Sequence, residues 1–228
     1  MKPYYSDSGI TIYHCSSEEL LGSLGNSSVD LVLTDPPYNC VNRDTGGLRS
    51  FDKGLADSAP VNIQEIAAEI TRVVSGSAYV WCGASGLSYW LDEFDSRGYT
   101  TRPIIWHKTN PSPMNGQRLW LSAVECCAFM RKPKAYFDGH CEHNVIRHKV
   151  ERGVSWHPTP KPVGLMEALV AASSPVGGLV VDPYMGSGAT LVASKSLGRR
   201  AIGCDISEEY CEKVADRLLN VTLQSDIA

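Results

Sequence analysis

Short apolar runs alternate with longer stretches of helical period along most of this chain. Val29–Thr34 and Leu179–Val181 are β-branched and bounded by turn residues, which predicts buried strands. The same pattern predicts strands near Ile10–His14, Ala78–Cys82, Arg102–His107, Ala123–Met130 and Arg200–Cys204. Helices are predicted near Ser17–Leu24, Val61–Val74, Leu87–Arg97, Val163–Ser173, Ala189–Leu197 and Ser207–Leu219. This alternation argues for an α/β fold, a mostly parallel sheet with helices on both faces. Two stretches lack clear periodicity. Residues 39–59, with Gly46, Gly47 and Gly54, read as a loop, and residues 137–156 are polar and basic. No repeat or low-complexity linker interrupts the chain, so residues 1–228 read as a single domain.

Two strings carry the candidate chemistry. The later one, Asp182–Thr190 (DPYMGSGAT), follows a predicted strand and opens a predicted helix. Gly186 and Gly188 let the backbone reach positive φ and let a ligand approach the main chain. The helix N-terminus behind them offers unpaired N–H groups. Asp205 then stands at the end of the next strand, where a carboxylate can accept hydrogen bonds from two ribose hydroxyls. A nicotinamide site fits less well, because the third position of GxGxxG is Leu191 here. An ordinary strand-to-helix turn would account for the glycines if the string stood alone.

The earlier string is Thr34–Asn39 (TDPPYN), at the C-terminal end of the Val29–Thr34 strand. Open α/β sheets bind ligands at that edge. Pro36 and Pro37 fix φ and remove two N–H donors, which leaves carbonyls with a rigid aim. Asp35 and the Pro36 carbonyl are then adjacent acceptors, suited to an NH2 group with two hydrogens to give. Tyr38 offers a ring on which a base can stack. Such a grip favours a pyramidal amine nitrogen whose lone pair is free to attack, with positioning and electrostatics supplying most of the acceleration.

In these strings the chain resembles the S-adenosylmethionine-dependent amino-methyltransferases of DNA, the N6-adenine/N4-cytosine family. TDPPYN is similar to the catalytic motif, and DPYMGSGAT to the family's DPFxGSGTT loop, with Tyr184 in the Phe position. Ile202–Tyr210 (IGCDISEEY) resembles the acidic motif that follows, and His157–Pro162 (HPTPKP) the HPTQKP segment, with Pro160 in place of Gln. His107–Pro113 (HKTNPSP) is similar to a stretch often found in the target-binding half. The catalytic motif precedes the cofactor loop, the order of the subgroup called beta. The resemblance implies a Rossmann-like, circularly permuted methyltransferase fold with a mostly parallel seven-stranded sheet.

It also implies the site. Asp35, Pro36, Pro37 and Tyr38 would be catalytic. The cofactor S-adenosylmethionine would lie against Asp35, Thr159, Lys161, Asp182, Tyr184, Gly186, Ser187, Gly188, Thr190 and Asp205. Gly9–Leu24 would supply a further cofactor-side strand and helix, with Cys15-Ser16 where the family often has Gly-Asp. The partner would be double-stranded DNA, with the target base flipped out of the duplex. Asn39, Lys108, Arg118 and Arg147 are the candidate nucleic-acid contacts. Residues 137–156 stand where relatives insert a target-recognition region, and the segment is short. Members often pair, so a homodimer is one state the resemblance implies. Asp before Pro-Pro-Tyr favours adenine N6, with cytosine N4 as the alternative and RNA or protein amides third. A catalytically silent DNA-binding protein of the same fold is the reading from another class.

Net charge of −4 argues against a general nucleic-acid binder, but its distribution alters the picture. Residues 97–152 hold ten Lys or Arg against four acids, and the rest of the chain eleven against twenty-one. Such a basic segment can follow phosphates. No apolar run reaches membrane-spanning length and no signal-peptide pattern opens the chain, so a cytoplasmic protein is expected. Eight cysteines without CxxC spacing are expected as reduced thiols. Cys126, Cys127, His140, Cys141 and His143 follow no standard finger spacing, so no metal is expected. Cys126 and Cys127 read as the core and surface sides of one strand.

Overall fold

The computed structural model describes residues 1–38, 61–113, 116–139, 142–151 and 154–221. The predicted loop 39–59, Asn39, and His140 and Cys141 of the paper zinc set lie outside these residues. Strands β1 (Tyr5–Asp7), β2 (Ile10–His14), β3 (Val29–Thr34), β4 (Val74–Cys82), β5 (Thr100–Lys108), β6 (Val124–Arg131), β7 (Val145–His148), β8 (Leu179–Asp182) and β9 (Arg200–Asp205) form one sheet. Its order is β1-β2-β9-β8-β3-β4-β6-β5-β7. The run from β2 to β4 is parallel throughout, β6 is antiparallel to both of its neighbours, and β7 returns parallel to β5.

Among the described residues six helices cover the sheet: α1 (Ser17–Ser23), α2 (Ile63–Val73), α3 (Leu87–Ser96), α4 (Val163–Ser173), α5 (Ala189–Ser196) and α6 (Glu208–Leu219). Two apolar clusters lie between the layers. Leu165, Leu191 and Val214 of α4, α5 and α6 pack with Ile12, Leu31, Leu33 and Trp81. Leu20, Ile66, Ile70 and Phe94 of α1, α2 and α3 pack with Val32, Val80 and Met130 on the other face. The helices start where the chain supplies caps. Ser16 closes a capping box with Glu19, Asn62 accepts the Gln64 and Glu65 amides, and Ser207 accepts the Tyr210 amide.

Among the described residues the sheet has nine strands, not the expected seven. Both extra strands sit at edges, where backbone pairing rather than an apolar pattern makes them. β1 is a three-residue arm folded onto β2 by a two-residue turn with Ser8 at φ 49° and Gly9 at φ 80°. Positive φ at both turn positions matches the twist of a tight hairpin. β7 falls inside 137–156, the segment read as aperiodic, because its residues alternate only between exposed and half-buried. Cys126 and Cys127 also differ from expectation. Both are buried, since β6 is an inner strand with apolar cover on each face. The six cysteines among the described residues are free thiols. Those residues contain no group of three or more His, Cys, Asp or Glu placed to hold a metal, and no helix long and apolar enough to cross a membrane.

β4 begins at Val74, four residues before the predicted Ala78, because it leaves α2 with no intervening loop. Its first turn of pairing is irregular. Val29 pairs with Val74 and Leu31 with Ser77, so β4 carries one extra residue opposite Asp30. Gly76 makes this possible, since a Cβ there would lie 2.2 Å from the Asp30 carbonyl oxygen. Asp30 in turn accepts the Leu179 amide at 2.7 Å and so anchors the start of β8. Gly76→Ala is therefore expected to lower the unfolding free energy by about 1–3 kcal/mol, measured by urea titration. Gly22→Ala, in a helix with open space around it, should instead be neutral or stabilise by up to about 1 kcal/mol.

Candidate active site

The C-terminal ends of β2, β9, β8, β3 and β4 reach one edge of the sheet side by side. A single cavity of about 1250 Å³ opens there, lined by Cys15, Asp35, Tyr38, Gly186 and Asp205 among others. Ligand pockets commonly run from about 300 to 1,000 Å³. This one is large enough for two ligands, and the two sequence strings form its two halves.

In the first half, Asp35 follows β3 and meets side chains from distant parts of the chain. The Lys161 ammonium contacts one carboxylate oxygen, and the Tyr38 hydroxyl lies 2.8 Å from the other. Tyr38 is also 2.7 Å from Glu125 Oε1, so its single proton serves one carboxylate at a time. Glu125 pairs with Lys161 at 2.8 Å and, through its other oxygen, with Lys108 at 2.8 Å. Two cations, two carboxylates and one phenol thus form a charge-balanced cluster. The Lys161 ammonium lies 5.5 Å from the Tyr38 ring centre and 5.6 Å from that of Trp81.

Burial sets the proton affinities here. It pushes Asp35 up, against the pull of Lys161. Burial would likewise raise Glu125, but Lys161 and Lys108 hold it well below the usual carboxylate range. Burial alone would lower Lys161, yet Asp35 and Glu125 keep it firmly protonated. Tyr38 is raised well above 10 by burial and by both carboxylates, so it remains a donor.

In the second half, the 186–188 turn has the predicted backbone. Gly186 has φ 44° and Gly188 φ 74°, and α5 starts directly behind them. A Cβ at Gly186 would lie 2.8 Å from His157 Nε2, and one at Gly188 2.5 Å from Val214 Cγ1. Asp205 accepts the Gly186 amide at 3.2 Å and the Ser207 amide at 2.9 Å. The turn and the acid are therefore one unit. Tyr184, Ser187, Thr159 and Glu18 also line this half. Glu18, in the first turn of α1, puts an acid close to the Cys15-Ser16 position.

Asp182 and Thr190 lie where the two halves meet. The Thr34 hydroxyl donates to Asp182 Oδ1 at 2.7 Å, and the Tyr184 amide donates to the same oxygen at 3.2 Å. Thr190 donates to the Leu33 carbonyl at 3.2 Å. These bonds tie β8 and α5 to β3 behind the ligand space. Lys161, grouped with the cofactor residues on sequence, has its ammonium on Asp35 and Glu125. Lys108 points into the same cluster, whereas Arg118 and Arg147 are exposed. Sequence reasoning missed Glu125. Its one signal was an acid at the head of a strand otherwise almost entirely buried.

The N6/N4 DNA methylase profile matches residues 29–216, which include both halves of the cavity. The chain belongs to this DNA methylase family. Methylases with similar sequences include the type II methyltransferase M2.DpnII of Streptococcus pneumoniae, 29% identical over 95% of this chain and 92% of that one. M.HpaI of Haemophilus parainfluenzae is 32% identical over 90% of this chain and 73% of its own length. The crystal structure of the M1.HpyAVI–SAM complex superimposes with a TM-score of 0.73 at 26% identity, covering 92% of this chain and 98% of that one. The cytosine-N4-specific PvuII DNA methyltransferase reaches 0.75 at 20% identity, over 99% and 92%, which establishes the shared fold. The sheet is thus the methylase α/β sheet, with β3, which ends at the Asp35 string, preceding β8, which ends at the Asp182 string, in sequence and lying beside it in space.

The methylase seam at Thr34–Asp182 gives a pH prediction. Burial pushes the Asp182 carboxyl up to about 7, against hydrogen bonds from Thr34, Thr190 and the Tyr184 amide that lower it. Between about pH 4 and 7 the folded chain holds a proton that the unfolded chain releases. Asp182 therefore stabilises the fold at pH 4, and this contribution is lost as pH rises through 7. Asp182→Asn, which keeps the Oδ1 acceptor but cannot ionise, should show a shallower fall of the urea midpoint across that window. Parallel profiles for the two proteins would mean that Asp182 titrates as an ordinary carboxyl.

Proposed function

We propose that this methylase transfers a methyl group from S-adenosylmethionine to the N6 amine of an adenine flipped out of double-stranded DNA. The observation that carries the reading is the shared cavity. The Asp35–Tyr38 segment forms one half and the Gly186 turn with Asp205 the other, with no wall between them.

The cofactor fits the second half. Close approach of a ligand needs glycine at 186 and 188, where the backbone is left-handed and a side chain would strike His157 or Val214. Asp205 retains acceptor capacity beyond its two backbone donors. Asp205, Tyr184, Ser187 and Thr159 would hold the group, and when bound it supplies an electrophilic methyl on a sulfonium. The M1.HpyAVI complex with SAM supports the assignment.

The chain's own residues orient the amine and take its proton. Pro36 and Pro37 stiffen the backbone beneath the target base. Tyr38 and Lys161 fix the Asp35 carboxylate in one orientation, so its remaining lone pairs have a set aim. As nitrogen gains a bond to carbon it loses an N–H bond, and that proton passes to Asp35. Burial raises the proton affinity of Asp35, which suits it to this role without making it a strong base at rest. Tyr38 keeps its own proton and supplies a ring face for stacking. Lys161 acts as a positioning residue, since its ammonium is committed to both carboxylates. Asp before Pro-Pro-Tyr supports adenine over cytosine.

The test is methyl transfer from labelled S-adenosylmethionine to unmethylated genomic DNA, followed by nucleoside mass analysis. N6-methyladenine is expected. N4-methylcytosine would overturn the base assignment, and cofactor binding without DNA labelling would favour the silent-protein reading. Asp35→Ala should abolish transfer while leaving cofactor affinity within about threefold. Asp205→Ala should weaken cofactor affinity by about tenfold or more, as expected for loss of charge-assisted hydrogen bonds. Equal loss of both properties in Asp35→Ala would remove Asp35 from the reaction side.

A further inference from the structure

The rim of the cavity carries a feature that the reaction does not use. Trp120 is 100% exposed, yet it lines the mouth of the cavity together with Leu119, Val124 and Lys108. Leu119 is 56% exposed, Leu121 44% and Val124 55%. A tryptophan normally buries most of its large apolar surface, so full exposure beside three other exposed apolar side chains marks a contact surface. The backbone beneath it is tied down. The Gly116 amide donates to the Pro113 carbonyl at 3.0 Å, the Ala123 amide to Leu121 at 2.8 Å, and the Lys108 amide to Ala123 at 2.7 Å. Leu121 also packs close over Gly116. The indole is therefore presented from a fixed base at the end of β5 and the start of β6.

The surroundings identify the occupant. Arg118 is exposed two residues away, and the segment lies within the stretch of ten basic residues against four acidic ones. Cationic groups around an exposed aromatic suit a partner with both phosphates and flat base faces. Extruding a target base leaves a gap in the duplex stack with two such faces, and apolar side chains are able to insert between base steps of a duplex. Resting on the proposed function, we infer that Trp120 enters the duplex and fills the place vacated by the flipped base, with Arg118 on the adjoining phosphates. Trp120 is a positioning residue in this account. It touches the DNA stack rather than the reacting atoms, and it holds the extruded state open.

The test uses the full chain and a duplex bearing the target site mapped with the wild-type protein. Single-turnover methylation is measured on the paired duplex and on one with an abasic site opposite the target base, where no partner base opposes extrusion. Trp120→Ala should slow the paired duplex by about tenfold or more, the rate equivalent of one lost base–aromatic stack. On the abasic duplex it should stay within about threefold of wild type, and Trp120→Phe should recover part of the loss on paired DNA. Cofactor affinity equal to wild type shows that the variant is folded. Equal slowing on both duplexes would overturn the inference, because a lid over the flipped base or a structural role predicts that pattern. Unchanged rates on both would also overturn it. A wild-type dimer that Trp120→Ala converts to monomer would assign the surface to a second copy. Failure of the functional reading is seen separately, as wild-type protein that labels no DNA.

Discussion

The ammonium of Lys161 is the group on which the reaction half of this protein depends. Its side chain is 9% exposed, and an isolated charge so placed would be strongly unfavourable. It is tolerated because Asp35 and Glu125 bind it from two sides and the Tyr38 oxygen lies 3.2 Å away. The converse holds as well. Asp35 and Glu125 share the Tyr38 hydroxyl and would repel each other without a cation between them. Breaking a buried pair of this kind typically costs about 3–5 kcal/mol, whereas an exposed pair contributes about 1 kcal/mol or less. The cluster thus fastens the end of β3, the start of β6 and the segment before α4 to one another, and those three pieces of chain line the Asp35 half of the cavity.

Sheet topology puts those groups within reach. Parallel strands deliver their C-terminal ends to one edge, so Asp35, Asp182 and Asp205 arrive there from β3, β8 and β9. β6 runs the other way, between β4 and β5, with Cys82 opposite Cys126. Its first residues, not its last, therefore meet that edge, and Glu125 comes to lie beside Asp35. A seam of hydrogen bonds then separates the roles within the row of acids. Asp182 is spent on Thr34 and the Tyr184 amide and holds two strands together, while Asp205 keeps its carboxylate at the cavity.

The parts of this arrangement that were legible in the sequence are those carried by local pattern. Val29–Thr34 and Val163–Ser173 have the predicted bounds, because a buried strand ended by Asp-Pro-Pro and an apolar helix opened after Pro162 are signalled by adjacent residues. The Gly186 turn and Asp205 were legible for the same reason, since strand, turn, helix and strand succeed one another without interruption. Glu125 was not. Its meaning comes from the antiparallel pairing of β6 with β4, which brings it to Tyr38 across an 87-residue separation in sequence that no period reveals. The partners of Lys161 were not legible for a related reason. Its motif places it near a ligand, but only tertiary contact shows which carboxylates neutralise it. β1 and β7 escaped because edge strands need only backbone partners, and their side chains need not be apolar.

The uneven charge along the chain becomes intelligible in the sheet order. The basic stretch 97–152 contains β5, β6 and β7, which occupy one end of the sheet, and β2, β9 and β8, which carry the Gly186 turn and Asp205, lie towards the other. On the proposed function, DNA and cofactor are thereby offered opposite ends of one sheet. Their approach paths need not cross, and like-charged surfaces are kept off the phosphates. Between the two ends lies the neutral cluster around Lys161, balanced so that an uncharged amine can enter without changing the net charge of its site. On that reading the DNA is oriented by the charge gradient along the sheet, and the side chains at the rim are left to meet the base itself.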